Sequence, residues 1–276
     1  MITVPVAAPN KLFQWQLSLF EYNQIKVYGN DAWWTTMSSI ADRNDHSGPI
    51  SSVPWNLSLP NRIVPGIHSI LSKEQNHSYY AAGNVFFGLY NIIETLNDEE
   101  ILCIIDCDVI PLKKYDGILP TDDTVITCNE YEDWHMLMSR PDKANYSFVE
   151  PFLKHDNHAY MDGGFVPILI KVKTLKKIID EVIEVTIKIV DENQDSPKGW
   201  WCQMWAFQIA LHNNKIKAIP QLNTYFPGRH ELNLDKHYFA HYSCDPKFAK
   251  GEFPRINYKE FPTNLFYDRV LEWMFR

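Results

Sequence analysis

The chain has 276 residues, 45% of them hydrophobic, enough for one large core or two modest ones. Its formal charge of -8 and pI of about 5.7 repel a phosphate backbone, so nucleic acid is excluded as a natural partner. A nucleotide diphosphate remains compatible with such a surface if a metal ion stands between the two.

Aromatic residues make up 14% of the chain, and flat rings with polar edges serve either as core filler or as stacking platforms for sugars and bases. The cysteines Cys103, Cys107, Cys128, Cys202 and Cys244 show neither a CxxC pair nor zinc-type spacing, which points to reduced, buried thiols. The start ITVPVAAPN lacks the basic residues and apolar run of a signal peptide, and no segment has the apolar length of a bilayer span. The expectation is a soluble, cytoplasmic chain, although one trimmed of a secretory-pathway anchor would read the same. The sequons at Asn56, Asn76 and Asn145 point weakly that second way.

ITVPVAA is the first predicted strand, small and β-branched. LFQWQLSLFEYNQI follows with Leu12, Trp15, Leu19 and Phe20 at helical spacing, and KVYGN reads as a second strand stopped by Gly-Asn. The proline-bearing stretch 47–65 reads as a long loop. From Tyr79 to Leu96, Val85, Phe86, Leu89, Ile92, Ile93 and Leu96 recur every three or four residues and predict a helix.

The continuous apolar run Ile101–Ile105 then predicts a strand covered on both faces and ending at Asp106. DTVITCNE and GGFVPILIKV give further strands. VKTLKKIIDEVIEVTIKIV gives a long amphipathic helix, WWCQMWAFQIALHNN an apolar one, and IKAIP a short strand. No repeat, charge block or low-complexity tract divides the chain. The alternation predicts one α/β domain spanning residues 1–276, a mixed sheet with ligands at its carboxyl edge.

Asp106 and Asp108 stand one residue apart at the end of the buried strand. On an ideal strand, i and i+2 face the same way, so both carboxylates can meet one point past the sheet edge. Like charges held that close repel unless a cation neutralises them, and hard oxygens suit magnesium or manganese. The alternative is a solvated strand end whose two acids cap a turn. Gly163 and Gly164, after Asp162, allow either a tight turn or the close approach of a ligand. Trp200 and Trp201 are core or stacking residues, and Gln203, at the start of a buried helix, needs a partner that a sugar hydroxyl or a backbone carbonyl supplies. Near the end, HYFAHYSCDP offers His237 and His241 as imidazole ligands, with no HExxH pattern nearby.

Taken in order, these segments resemble the plant and algal hydroxyproline O-arabinosyltransferases and peptidyl serine α-galactosyltransferases. Phe13-Gln14-Trp15-Gln16 is similar to that family's aromatic-Asp-Trp-Gln segment, and Tyr80-Ala81-Ala82-Gly83-Asn84 to its Tyr-x-Ala-Ile-Asn-Lys-Pro helix start. ILCIIDCDVI resembles its strand ending in Asp-Ala-Asp, and Gly163-Gly164-Phe165-Val166 its Gly-Gly-Val-Ile. Gly199-Trp200-Trp201-Cys202-Gln203-Met204-Trp205 is similar to Gly-Trp-x-x-Glu-Met-Tyr, Tyr225-Phe226-Pro227-Gly228 to a Tyr-Pro-Gly loop, and Phe239-Ala240-His241-Tyr242 to Phe-His-Tyr-Gly.

The resemblance implies a glycosyltransferase-A fold, a Rossmann-like mixed sheet flanked by helices, with a UDP-sugar donor at its carboxyl edge. It implies manganese (or magnesium) bridging the donor diphosphate to Asp106, through water or ribose, and to Asp108, with His241 as third ligand. It also implies retention of anomeric configuration and transfer of a hexose or pentose to an acceptor hydroxyl on a glycan or protein. Gln203 and Asp162 then lie near the transferred sugar. Trp15, Gln16, Asn84, Gly163 and Gly164 border the donor, and Trp200 or Trp201 stacks on a sugar.

Three departures bear on this. Cys107 replaces the middle residue of Asp-x-Asp, Val85-Phe86 replaces Lys-Pro after Asn84, and Gln203 replaces Glu. An amide is a poor nucleophile, so the last change favours front-face attack over double displacement. Two other readings are a sugar nucleotidyltransferase and a carbohydrate-binding domain without catalysis. The first normally carries a Gly-rich basic loop near its start, whereas residues 1–30 hold one glycine, Gly29, and two lysines. The second differs in releasing no UDP from a UDP-sugar.

Overall fold

The apolar run Ile101–Ile105 lies at the centre of a seven-stranded sheet. The computed structural model of the chain describes residues 1–7, 20, 23–29, 35–39, 61–65, 84–90, 92–106, 108–129, 147–155, 166–192, 202–226 and 232–241. Its strands are β1 (Ile2–Ala7), β2 (Thr35–Ser39), β3 (Asn61–Pro65), β4 (Ile101–Asp106), β5 (Val109–Pro111), β6 (Thr124–Cys128), β7 (Ile168–Lys171), β8 (Lys217–Leu222), β9 (Thr224–Tyr225) and β10 (Phe239–His241). Its described helices include α1 (Asn84–Tyr90), α2 (Val172–Glu192) and α3 (Cys202–Asn213).

The large sheet runs β3-β2-β1-β4-β7-β6-β8, and a small sheet runs β5-β10-β9. β1 pairs in parallel with both β2 and β4, while β7 runs antiparallel to β4 and β6. The chain therefore leaves β1 toward β2 and β3 on one side and resumes at β4 on the other. In an open α/β sheet, such a reversal opens a crevice at the strands' carboxyl ends. The register Val6↔Asp106 places Asp106 at that end.

Alternation along β4 divides its burial between two layers. Leu102 and Ile104 join a core with Val85 and Phe86 of α1, Leu175 and Ile178 of α2, and Trp205 and Phe207 of α3. Cys103 and Ile105 face a second cluster with Phe20, Val109, Leu222 and Phe239. Covering both faces explains why β4 is continuously apolar. Each such side chain contributes about 1.5–3 kcal/mol on burial. α2 buries Leu175, Ile178, Ile179, Val182 and Ile189 at helical spacing. Its first amides are satisfied by backbone carbonyls before β4, Val172 N donating to Glu100 O at 2.9 Å and Lys173 N to Asp98 O at 3.1 Å. α3 is apolar nearly all round and is buried accordingly.

Three expectations are corrected. KVYGN is not a strand: residues 23–28 are helical. Gly29, at φ 75°, ends that helix with its N–H donating to Ile25 O at 2.9 Å. A Gly-Asn pair closes helices as readily as strands, because glycine adopts the left-handed conformation freely. The stretch 47–65 is not wholly loop, since Asn61–Pro65 forms β3 by pairing with β2. β2 itself, TTMSS, carries no apolar pattern and is held in place by β1 and β3. The helix predicted over Tyr79–Leu96 appears as α1 followed by a 3-10 turn at Ile93–Thr95, with 79–83 outside the described residues.

Candidate metal centre

β4 stops at Asp106, and Asp108 lies in the turn before β5. The two acids therefore do not share one strand: Asp106 ends β4 in the large sheet, and Asp108 precedes β5 of the small one. β5 pairs antiparallel with β10 in the register His241↔Val109, which sets His241 beside the residue that follows Asp108. His241 Nε2 lies 3.4 Å from Asp108 Oδ1 and 3.6 Å from Asp106 Oδ2. One ligand atom from each of the three residues fits within 4.8 Å of the others.

The electrostatics favour a cation at this point. Desolvation, and then the neighbouring Asp108 charge, push the Asp106 carboxyl up to about 6, against an opposing pull from His241. Asp108 Oδ1 is buried and accepts no hydrogen bond. Among the described residues, no lysine or arginine pairs with either carboxylate. Two oxygen donors, an imidazole nitrogen and an unsatisfied buried carboxylate oxygen fit a divalent cation, which supplies the missing charge.

His237 separates from His241. Its Nδ1 accepts from Asn233 N at 3.0 Å, so this ring closes the 233–237 turn. Phe226, just past β9, lies against His241 with ring centroids 5.2 Å apart. Phe226 belongs to the segment Tyr225-Phe226-Pro227-Gly228, and nothing in the sequence assigns it a role there. Gln203 is buried on the first turn of α3, and Asn84 opens α1. Trp15, Gln16, Asp162, Gly163, Gly164, Trp200 and Trp201 lie outside the described residues. Of the predicted site residues, the structure thus brings Asp106, Asp108 and His241 together.

The sequence model of the hydroxyproline O-arabinosyltransferase family N-terminal domain matches residues 6–219, well over half of the chain. The chain belongs to the hydroxyproline O-arabinosyltransferase family. Asp106 and Asp108 fall within the matched stretch, and His241 and Phe226 lie beyond it.

Among solved structures, the chain is similar to the galactosyltransferase LgtC in complex with donor and acceptor sugar analogues. That likeness has a TM-score of 0.53 and 13% identity over 89% of this chain and 88% of that one. An active-site mutant of LgtC matches with a TM-score of 0.50, the same 13% identity and the same coverage of both chains. At such identity the likeness speaks for the fold, which is that of the glycosyltransferase-A enzymes. No curated protein matches the chain in sequence. By family and fold this hydroxyproline O-arabinosyltransferase family member is a glycosyltransferase, an enzyme that transfers a sugar from a donor to an acceptor. None of its described helices is long and apolar enough to cross a membrane.

Proposed function

We propose that this family member is a metal-dependent, retaining glycosyltransferase that moves a hexose or pentose from a UDP-sugar to a hydroxyl of a glycan or protein acceptor. The observation that carries the reading is the convergence of Asp106, Asp108 and His241 within 4.8 Å at the carboxyl end of β4. Asp108 and His241 would hold manganese or magnesium directly, and Asp106 through water or the ribose. When bound, the cation supplies Lewis-acid stabilisation of the charge on the departing diphosphate. The three side chains fix where that diphosphate rests, at the topological switch point where an open sheet receives ligands.

Gln203 in this reading faces the transferred sugar. Its amide oxygen stabilises the positive charge that develops at the anomeric carbon, and it cannot form the covalent glycosyl intermediate a glutamate would permit. Retention then proceeds by attack of the acceptor hydroxyl on the face the leaving group departs. Asp162 orients the sugar, and Gly163 and Gly164 let the donor approach the main chain. Trp15, Gln16 and Asn84 border the nucleotide, and Trp200 or Trp201 stacks on donor or acceptor. Residues 1–276 act as one catalytic domain.

The test is release of UDP from a panel of UDP-hexoses and UDP-pentoses with manganese, with the product anomer assigned by nuclear magnetic resonance. The expected result is turnover of at least one donor with retained configuration. Gln203→Ala should lower kcat by about 10²–10³-fold, the scale of losing one charge-stabilising group, while UDP affinity changes little. Equal loss of turnover and UDP affinity in Gln203→Ala would remove that role, and an inverted product would remove the retaining mechanism.

A further inference from the structure

β10 is three residues long and contributes its last, His241, to the metal centre. A histidine's second torsion is broad, so a short strand fixes where the ring begins and leaves open which way its nitrogens face. Two neighbours border β10. On one side, β5 brings Val109 opposite His241 and so sets Asp108 close by. On the other side, β9 runs parallel in the register Ala240↔Tyr225. One step beyond that pair, the register carries Phe226 alongside His241. Their ring centroids lie 5.2 Å apart with planes tilted by 43°, and both side chains are buried.

We propose that Phe226 is a positioning residue of His241, helping to hold the imidazole so that Nε2 meets the point shared by Asp106 and Asp108. The inference rests on the metal reading above and extends it to a residue outside the set Asp106, Asp108 and His241. Metal-ligating histidines are commonly oriented by a hydrogen-bonding partner outside the ligand set, whose loss typically costs about 10–100-fold in metal affinity, and a packed ring beside the imidazole serves the same orienting end. Here such a contact is made by a phenyl ring tilted 43° to the imidazole. A leucine of similar bulk fills the volume without a ring.

The experiment titrates manganese alone into the purified full chain, with no nucleotide or sugar present, and follows free ion by electron paramagnetic resonance. Spin-echo modulation from a coordinated imidazole nitrogen is recorded on the bound ion. Wild type should bind and show the nitrogen signal, and His241→Ala should lose that signal. Phe226→Ala and Phe226→Leu should weaken binding by about tenfold or more and diminish the signal. Phe226→Tyr, which keeps the ring, should restore both. If Phe226→Ala does not fold, Phe226→Leu carries the comparison. Wild-type affinity and an intact nitrogen signal in the folded Phe226→Leu protein would overturn the positioning role and leave the metal reading standing. Absence of manganese binding in wild type would overturn both.

Discussion

At the scale of the residue, Asp106 is the most informative titrating group. Its carboxyl is held up to about 6 by lost hydration and by Asp108. An unperturbed aspartate lies near 3.9. Between those two values the folded, metal-free protein binds more protons than the unfolded chain, so this group's contribution to stability falls as pH rises from about 4 to about 6. A cation held at this point would offset the penalty, because its charge favours the ionised carboxylate over the protonated one. The melting temperature gained on adding manganese should therefore be larger at pH 7 than at pH 5, as read by differential scanning calorimetry. An equal gain at both values would mean that Asp106 takes no part in binding.

The site was partly legible from its residues. Two acids after a buried apolar run draw notice because close carboxylates repel unless a cation or solvent screens them, and the sequence alone left both a metal site and a solvated turn open. His241 was set apart from His237 only by resemblance to a family pattern. The two differ in pairing, one turned to its own 233–237 turn and the other to Asp108, and that difference arises from strand register. Phe226 had no signal of its own, because its contact exists only once β9 and β10 lie side by side.

At the scale of the element, legibility followed length and periodicity. β4, α2 and α3 carry enough apolar residues to be read directly, β4 as a continuous run, α2 by its helical spacing and α3 by its length. β2 and β3 do not, since TTMSS and NRIVP derive their extended form from pairing with each other and with β1. The small sheet escaped notice for the same reason: β9 has two residues and β10 three, too few for any period.

The end of α3 gives a prediction at this scale. Lys215 adopts φ 56° just past the helix, where Ile216 N donates to Leu211 O at 2.9 Å. The bond closes the last turn as a left-handed cap, a position glycine fills without strain. Lys215→Gly should stabilise the protein by about 0.5–1 kcal/mol in urea unfolding, the left-handed strain relieved outweighing the added freedom of the unfolded chain. A loss of stability of that size would show that the lysine side chain contributes more than its backbone costs.

At the scale of the whole molecule, the sheet reverses between β1 and β4, and the acids stand at that reversal. A fold shared with LgtC at 13% identity reflects the same division of labour: apolar patterning sets the sheet and its helices, and few positions are tied to particular residues. The net charge of -8 gives the candidate metal centre a bearing beyond its own residues. A surface so acidic has little means of holding a diphosphate without a cation, and the Lys-Pro that would follow Asn84 in the resembling pattern is Val85-Phe86 here.

The most direct measurement is calorimetric titration of UDP into the purified chain with and without manganese, repeated on Asp108→Ala. Binding should require manganese and should vanish, or weaken by at least about 100-fold, in the variant. UDP binding of equal strength without manganese, or unchanged in Asp108→Ala, would contradict a donor site built on Asp106, Asp108 and His241.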